Sequence, residues 1–105
     1  MQGQLFAVIR RRGAAWRHGL PLEAQPEWDA HASFMDTLFE DGFVVLAGPL
    51  EDRSEALLIL RAQSIREIEE RLSTDPWYEL DMLRPGWIAA WTLRLGVVPG
   101  SETDD

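Results

Sequence analysis

The residues best suited to chemistry in this chain are His31 and Asp75. A histidine side chain ordinarily titrates near pH 6.5, so it can accept or donate a proton around neutrality. A carboxylate that contacts a histidine can orient the imidazole and stabilise its protonated form. The sequence around each residue indicates whether these two side chains are placed for such a role.

His31 lies in a segment with helical spacing. Its apolar residues recur at Trp28, Ala32, Met35, Leu38 and Phe39. Trp28, His31 and Met35 fall along one side of such a helix, so His31 faces a sheet or the edge of a cleft. There it is either a general acid or base, or a core histidine satisfied by one hydrogen bond. Its position alone leaves both interpretations open.

Asp75 follows a second helical segment and precedes Pro76 and Trp77. A carboxylate at the C-terminal end of a helix meets the negative end of the dipole, which costs about 0.3–1 kcal/mol. It therefore needs a compensating role. One role is to cap the next turn, with Pro76 at the first helical position. The other is to orient and charge-stabilise an imidazole.

Composition excludes several classes of protein. The chain has 105 residues, no cysteine and a formal charge of -8, so disulfides, thiolate sites and ordinary nucleic-acid binding are not expected. No apolar run approaches the roughly 20 residues of a membrane span, and no signal-peptide pattern is present. We expect one cytoplasmic domain over residues 1–100, without a membrane partner. Residues 101–105 are expected to form an acidic tail without fixed structure.

Motifs for metals and common cofactors are missing from the sequence. His18 and His31 stand at unrelated positions, which is weak evidence for a metal site. No dinucleotide or phosphate loop and no nucleophile elbow occurs. We therefore expect neither a metal nor a cofactor. The one basic cluster, residues 10–12, is either a solvated segment at a strand end or an anchor for an anionic ligand group.

The elements that must position these residues follow the order βαββαβ. Short apolar runs predict strands over residues 5–9, 43–47, 56–62 and 86–95. Helices are expected to begin near Pro26 and after Ser64, which opens a capping box with Glu67. The core face of the second helix is expected to be Ile65, Ile68 and Leu72. Gly42 is expected to end the first helix. Residues 13–26 read as a long loop that could fold over a site. The order is typical of the ferredoxin-like α+β fold, a four-stranded antiparallel sheet with two helices on one face.

The first three strands are apolar throughout instead of alternating apolar and polar residues. Two helices cover only one face of the sheet, so the pattern predicts a cover for the other face. The simplest cover is the same face of a second copy, which gives a homodimer with its sheets packed face to face. A monomer whose long loop folds under the sheet is the alternative.

Several pieces of the sequence together resemble the YCII-related family. They are Trp28-x-x-His31-x-x-Phe34-Met35-x-x-Leu38, residues 42–50 (Gly-Phe-Val-Val-Leu-Ala-Gly-Pro-Leu), Arg61-Ala62-x-Ser64 and Asp75-Pro76-Trp77. The resemblance implies a dimeric α+β barrel and an active site on His31 and Asp75. The long loop 13–26 and the end of the last strand depart from the family pattern, so the ligand does not carry over.

We expect a small enzyme in which His31 transfers protons and Asp75 sets its tautomer. Trp28, Phe34 and Trp77 are expected to shape a pocket for a small cyclic or aromatic molecule, with polar contacts from the backbone near Gly48. The chemistry would be a cofactor-free isomerisation or elimination. Two other hypotheses remain open: a ligand-binding or regulatory accessory module with the same pocket, and a purely structural dimer.

Overall fold

The computed structural model describes residues 3–51 and 53–98, so the predicted tail 101–105 lies outside the described residues. The elements in chain order are β1 (Gln4–Arg12), α1 (Trp28–Glu40), β2 (Val44–Pro49), β3 (Glu55–Ala62), α2 (Ile65–Leu72), α3 (Pro76–Glu79) and β4 (Leu83–Ala90). A 3₁₀ turn, Leu22–Ala24, precedes α1. Within these described ranges no helix is both long and apolar enough to cross a membrane.

The four strands form one antiparallel sheet in the order β2-β3-β1-β4. This arrangement confirms the predicted ferredoxin-like α+β fold. Pro49 and Pro85 fall on the two edge strands, β2 and β4. A proline cannot donate to a sheet ladder and is tolerated at such edges, which is why the central strands contain none.

The main core lies between the sheet and the helices α1 and α2. Leu60 and Ile68 are fully buried in it, and Phe6, Val8 and Leu38 pack around them. Because side chains alternate along a strand, Phe6 and Val8 place the even-numbered residues of β1 on the helix-covered face. Arg10 falls on that same face, which becomes important for the site.

The predicted end of α1 is confirmed, and the helix begins close to Pro26, although Pro26 itself lies outside it. Gly42 has a φ of 83°, and the N–H of Phe43 donates to the carbonyl of Leu38 at 3.0 Å, which is the usual left-handed helix end. At the other end Glu27 has a φ of 58°. This left-handed turn separates Pro26 from the helix, so α1 begins at Trp28.

The capping box of α2 is confirmed in one half. Ser64 Oγ accepts from the N–H of Glu67 at 3.1 Å. The Glu67 carboxylate, however, accepts from the N–H of Gln63 at 2.7 Å rather than from Ser64.

Three details differ from the sequence-based expectations. Phe39 and Ile65 are 62% and 43% exposed, although helical spacing placed Phe39 on the apolar side and Ile65 on a core face. The last strand runs from Leu83 to Ala90 instead of over residues 86–95. Its partner β1 begins at Gln4, so the chain beyond Trp91 has little strand left to pair with.

The sheet face opposite the helices carries exposed apolar side chains. Leu46 is 52% exposed and Trp87 is 48% exposed. Leu46 pairs with Ile59 on this face, and Trp87 precedes Ile88, whose side chain packs on the opposite, helix-covered face. The described chain leaves these two side chains about half exposed, whereas Ile59 is buried.

Candidate active site

Asp75 lies in the turn between α2 and α3 and is fully buried. Its Oδ1 accepts the N–H of Trp77 at 2.9 Å, and Pro76 occupies the first turn of α3. The predicted capping role of Asp75 is therefore confirmed. A carboxylate at a helix N-terminus also interacts favourably with the positive end of the dipole.

The same carboxylate contacts the histidine of α1. His31 Nδ1 lies 2.9 Å from Asp75 Oδ1 and 2.9 Å from Oδ2, so residues 44 positions apart meet in the interior. An ionised carboxylate can only accept, so this bond places the proton on Nδ1 and leaves the lone pair of a neutral imidazole on Nε2. Nε2 makes no hydrogen bond to any residue within the described ranges.

Arg10 completes the group, although the sequence pattern did not distinguish it from its neighbours. Its Nη1 lies 2.9 Å from Asp75 Oδ2, and the residue is only 3% exposed. The solvated-segment interpretation of residues 10–12 is therefore wrong for Arg10, because β1 continues through Arg12 and turns Arg10 inward. Residues 5–9 are apolar at every position, so no signal in the sequence shows which arginine turns inward, and only the burial of Phe6 and Val8 in the structure does.

The pKa of Asp75 lies below its ordinary value of 3.8. Burial is the largest single influence and by itself raises the pKa. The hydrogen bond from His31, the electrostatic attraction of His31 and Arg10, and the N–H of Trp77 together outweigh burial and lower it. Asp75 is consequently an ionised acceptor at neutral pH, as an imidazole-orienting group must be.

Three tryptophans surround the histidine. The His31 ring stacks on Trp77, with centroids 3.8 Å apart and planes 5° apart. Trp16 packs edge-on against Trp77 at 5.4 Å, and Trp28 lies 5.9 Å from the His31 ring. Trp77 is itself held by a 2.7 Å hydrogen bond from its Nε1 to the carbonyl of Pro26. The aromatic side chains thus limit how far the imidazole can move.

The loop over residues 13–26 supplies part of this wall, as its length suggested. Gln25 is 3% exposed. Its side-chain Oε1 accepts from the backbone N–H of Arg17 at 2.9 Å, and its Nε2 donates to the backbone carbonyl of Arg17 at 2.8 Å. Its Nε2 also donates to the carbonyl of Leu20 at 3.1 Å. These bonds hold the loop in a compact form that buries Trp16, whereas His18 is exposed.

A cavity of about 250 Å³ opens beside His31. Its walls are mainly apolar and aromatic, and they include Trp16, Trp28, His31, Gly48, Trp77 and Met35. A cavity of roughly 150 Å³ is enough for a benzene molecule, so a ligand of one substituted ring fits.

The structure places Trp28, Gly48 and Trp77, which the sequence named as pocket residues, at the cavity with His31. The expectation that Phe34 shapes the pocket needs correction. Phe34 packs against the main core and is not among the described residues that line the cavity. Met35, the next residue of α1, lines the cavity instead. A helix turns by about 100° per residue, so neighbouring positions face different surroundings.

Within residues 3–51 and 53–98, no three histidine or acidic side chains gather in an arrangement that could hold a metal ion. The ionisable side chains at the cavity are instead His31, Glu55 and the two arginines Arg10 and Arg12.

No family model matches this chain, and no curated protein matches it in sequence. Among solved structures it is similar to 5-chloro-2-hydroxyhydroquinone dehydrochlorinase (TftG) from Burkholderia phenoliruptrix AC1100, determined in complex with 2,5-dihydroxybenzoquinone. The TM-score is 0.61, and the match covers 84% of this chain and 93% of that chain at 21% sequence identity. This likeness supports the α+β ferredoxin-like fold, and the YCII-related family stays a prediction.

Proposed function

We propose that this protein is a small enzyme that transfers protons on a cyclic or aromatic molecule, with His31 as general base or acid. One observation carries the proposal: a buried carboxylate holds the imidazole through Nδ1, Nε2 has no partner among the described residues, and His31 lines a cavity. A core histidine satisfied by one hydrogen bond would be expected to face packed side chains, whereas His31 faces a cavity.

In this proposal each neighbour of His31 has a separate part. Asp75 holds the tautomer whose lone pair is on Nε2, and it stabilises the imidazolium once Nε2 has taken a proton from the ligand. Arg10 keeps the Asp75 carboxylate ionised and in place. Trp77 fixes the plane of the imidazole by stacking.

The cavity supports a ligand of about one ring. Its volume of about 250 Å³ and its tryptophan walls favour a flat molecule over an extended chain. The similar structure is that of a dehydrochlorinase with 2,5-dihydroxybenzoquinone bound. Elimination on a hydroxylated ring is therefore the first reaction to assay, and isomerisation of a cyclic compound is the second.

Solvent exchange tests the proposal even while the substrate is unidentified. Cyclic ligands, beginning with 2,5-dihydroxybenzoquinone, are screened for binding by ligand-observed NMR, and bound ligands are incubated with the protein in D₂O. We expect the protein to accelerate deuterium incorporation at carbon positions next to carbonyl or hydroxyl groups. Ligands that occupy the cavity without accelerated exchange would favour the ligand-binding accessory module instead.

We further infer that two copies pack through the sheet face that carries Leu46 and Trp87. The support is the exposure of these side chains on a face that the helices leave open, since large exposed apolar patches commonly mark interfaces. The cytoplasmic location expected from the sequence stays a prediction.

A further inference from the structure

Arg12, the last residue of β1, is a second arginine at the cavity. Its guanidinium carbon lies 4.3 Å from the centroid of the Trp16 ring, so the group is stacked over the indole. Trp16 in turn packs on Trp77, which stacks on His31. One continuous aromatic wall therefore connects Arg12 to the histidine.

The charge of Arg12 is not compensated within the described residues. Arg10 is paired with Asp75 at 2.9 Å. Glu55, which also lines the cavity, is paired with Arg53 at 3.0 Å and with Arg11 at 3.8 Å. Arg12 makes no ion pair with any residue of the ranges 3–51 and 53–98, and its backbone N–H donates to the carbonyl of Ser54.

Stacking leaves the hydrogen-bond donors of Arg12 available. A guanidinium carries its five N–H groups around the edge of its plane, and an aromatic ring covers only a face. The edge of a stacked arginine can therefore bind two oxygens of a carboxylate, or one ionised hydroxyl, with charge-assisted hydrogen bonds. The formal charge of the chain is -8, so much of the surface repels an anion. The guanidinium of Arg12 attracts an anion to the cavity.

We propose that the cavity takes a planar ring bearing an anionic oxygen group, and that Arg12 binds this group while the ring lies along the tryptophan wall. The inference rests on the proposed function only in placing the ligand in the same cavity. It defines the ligand class more narrowly, as ring carboxylates or ionised phenols. The sequence offered an anion anchor within residues 10–12, and the geometry assigns that role to Arg12 rather than to Arg10, which is held by Asp75.

The test compares benzoate with benzamide, which have similar shapes and differ in charge. Dissociation constants for both are measured by NMR titration at low ionic strength with the full chain, its Arg12→Gln and Arg12→Lys variants, and Arg66→Gln as control. Arg66 lies on the surface of α2, where it pairs with Glu70 at 3.1 Å, and its substitution removes the same net charge away from the cavity.

We expect the wild type and the Arg66→Gln variant to prefer benzoate by roughly tenfold or more, the value of a charge-assisted hydrogen bond. Arg12→Gln should reduce the ratio to near one, and Arg12→Lys should retain part of it. The inference is overturned if benzoate does not bind at millimolar concentration, if the wild type shows no preference, or if Arg12→Gln leaves the ratio unchanged.

Deuterium exchange measured with a His31→Ala variant, beside the benzoate titrations, separates this inference from the proposed function. If exchange depends on His31 but the benzoate preference does not depend on Arg12, the anion site alone is wrong. If the preference depends on Arg12 but the protein accelerates no exchange, the proton-transfer function alone is wrong.

Discussion

The His31 imidazole lies nearly parallel to the Trp77 indole, with ring centroids 3.8 Å apart. Asp75, two residues before Trp77, binds Nδ1 of the same imidazole at 2.9 Å. A single turn at the start of α3 thus sets the plane of the imidazole through Trp77 and its tautomer through Asp75. The capping bond from Trp77 N–H to Asp75 ties these two contacts together, so a change in either residue should affect both.

Asp75→Asn should destabilise the protein by about 3–5 kcal/mol, because it leaves the Arg10 guanidinium buried without a countercharge. Urea unfolding measures the loss. Asp41→Asn is the matched control, since Asp41 pairs with Arg71 at the same 2.9 Å distance but at the surface. The control should lose less than about 1 kcal/mol. Equal losses in the two variants would contradict the buried ion pair.

The contribution of Asp75 to stability should disappear in acid. Its pKa in the folded protein is below the ordinary 3.8, so the folded state binds protons less readily than the unfolded state. The contribution is therefore complete above about pH 4 and is lost as the pH falls through the lowered pKa. The difference in unfolding free energy between wild type and Asp75→Asn should shrink steadily below about pH 4. A difference that stays constant far into the acid range would be inconsistent with an ionised Asp75.

Trp77→Phe should destabilise the protein by about 1–3 kcal/mol, since it removes the 2.7 Å hydrogen bond to Pro26 and part of a buried packing surface. It should also slow deuterium exchange, because the imidazole loses part of its stacking surface. Tyr78→Phe is the control, as Tyr78 is 40% exposed and loses one hydroxyl group. The idea fails if Trp77→Phe matches this control in both stability and exchange.

Trp87→Glu should convert a dimer into a monomer in sedimentation experiments, because it places a charge in the proposed sheet-to-sheet contact. Phe39→Glu provides the comparison, since Phe39 is 62% exposed on α1, away from that face. It should leave the assembly unchanged. A wild-type protein that stays monomeric at high micromolar concentration would exclude the dimer.

The fold was predictable because its signals are local. Helical spacing, the helix caps, the glycine after α1 and the order of the elements are written in short stretches of sequence, and the confirmed predictions of the fold rest on them. The predictions failed where the surroundings of a side chain depend on its position in the folded protein. Phe39 fits the apolar side of the helix, yet it is largely exposed. Phe34 and Met35 are adjacent apolar residues, but only Met35 is among the described residues that line the cavity.

The candidate site was predictable in part. His31 and Asp75 were identified, and the structure brings them together. Arg10 was overlooked because a run of three arginines resembles a solvated segment, and because residues 5–9 are apolar at every position and so do not show which arginine turns inward. The stacking of Arg12 on Trp16 depends on the fold of a long loop, which sequence spacing does not specify.

The most direct test of the central claim is the rate of deuterium incorporation into a bound cyclic ligand, measured for wild type, His31→Ala and His18→Ala. His18 is the other histidine of the chain and is exposed on the loop, so it controls for general effects of the substitution. We expect His31→Ala to slow exchange by about 10²–10⁴-fold while binding persists, and His18→Ala to exchange at the wild-type rate. Exchange at the wild-type rate in a folded, ligand-binding His31→Ala variant would contradict the assignment of His31 as the proton-transferring group.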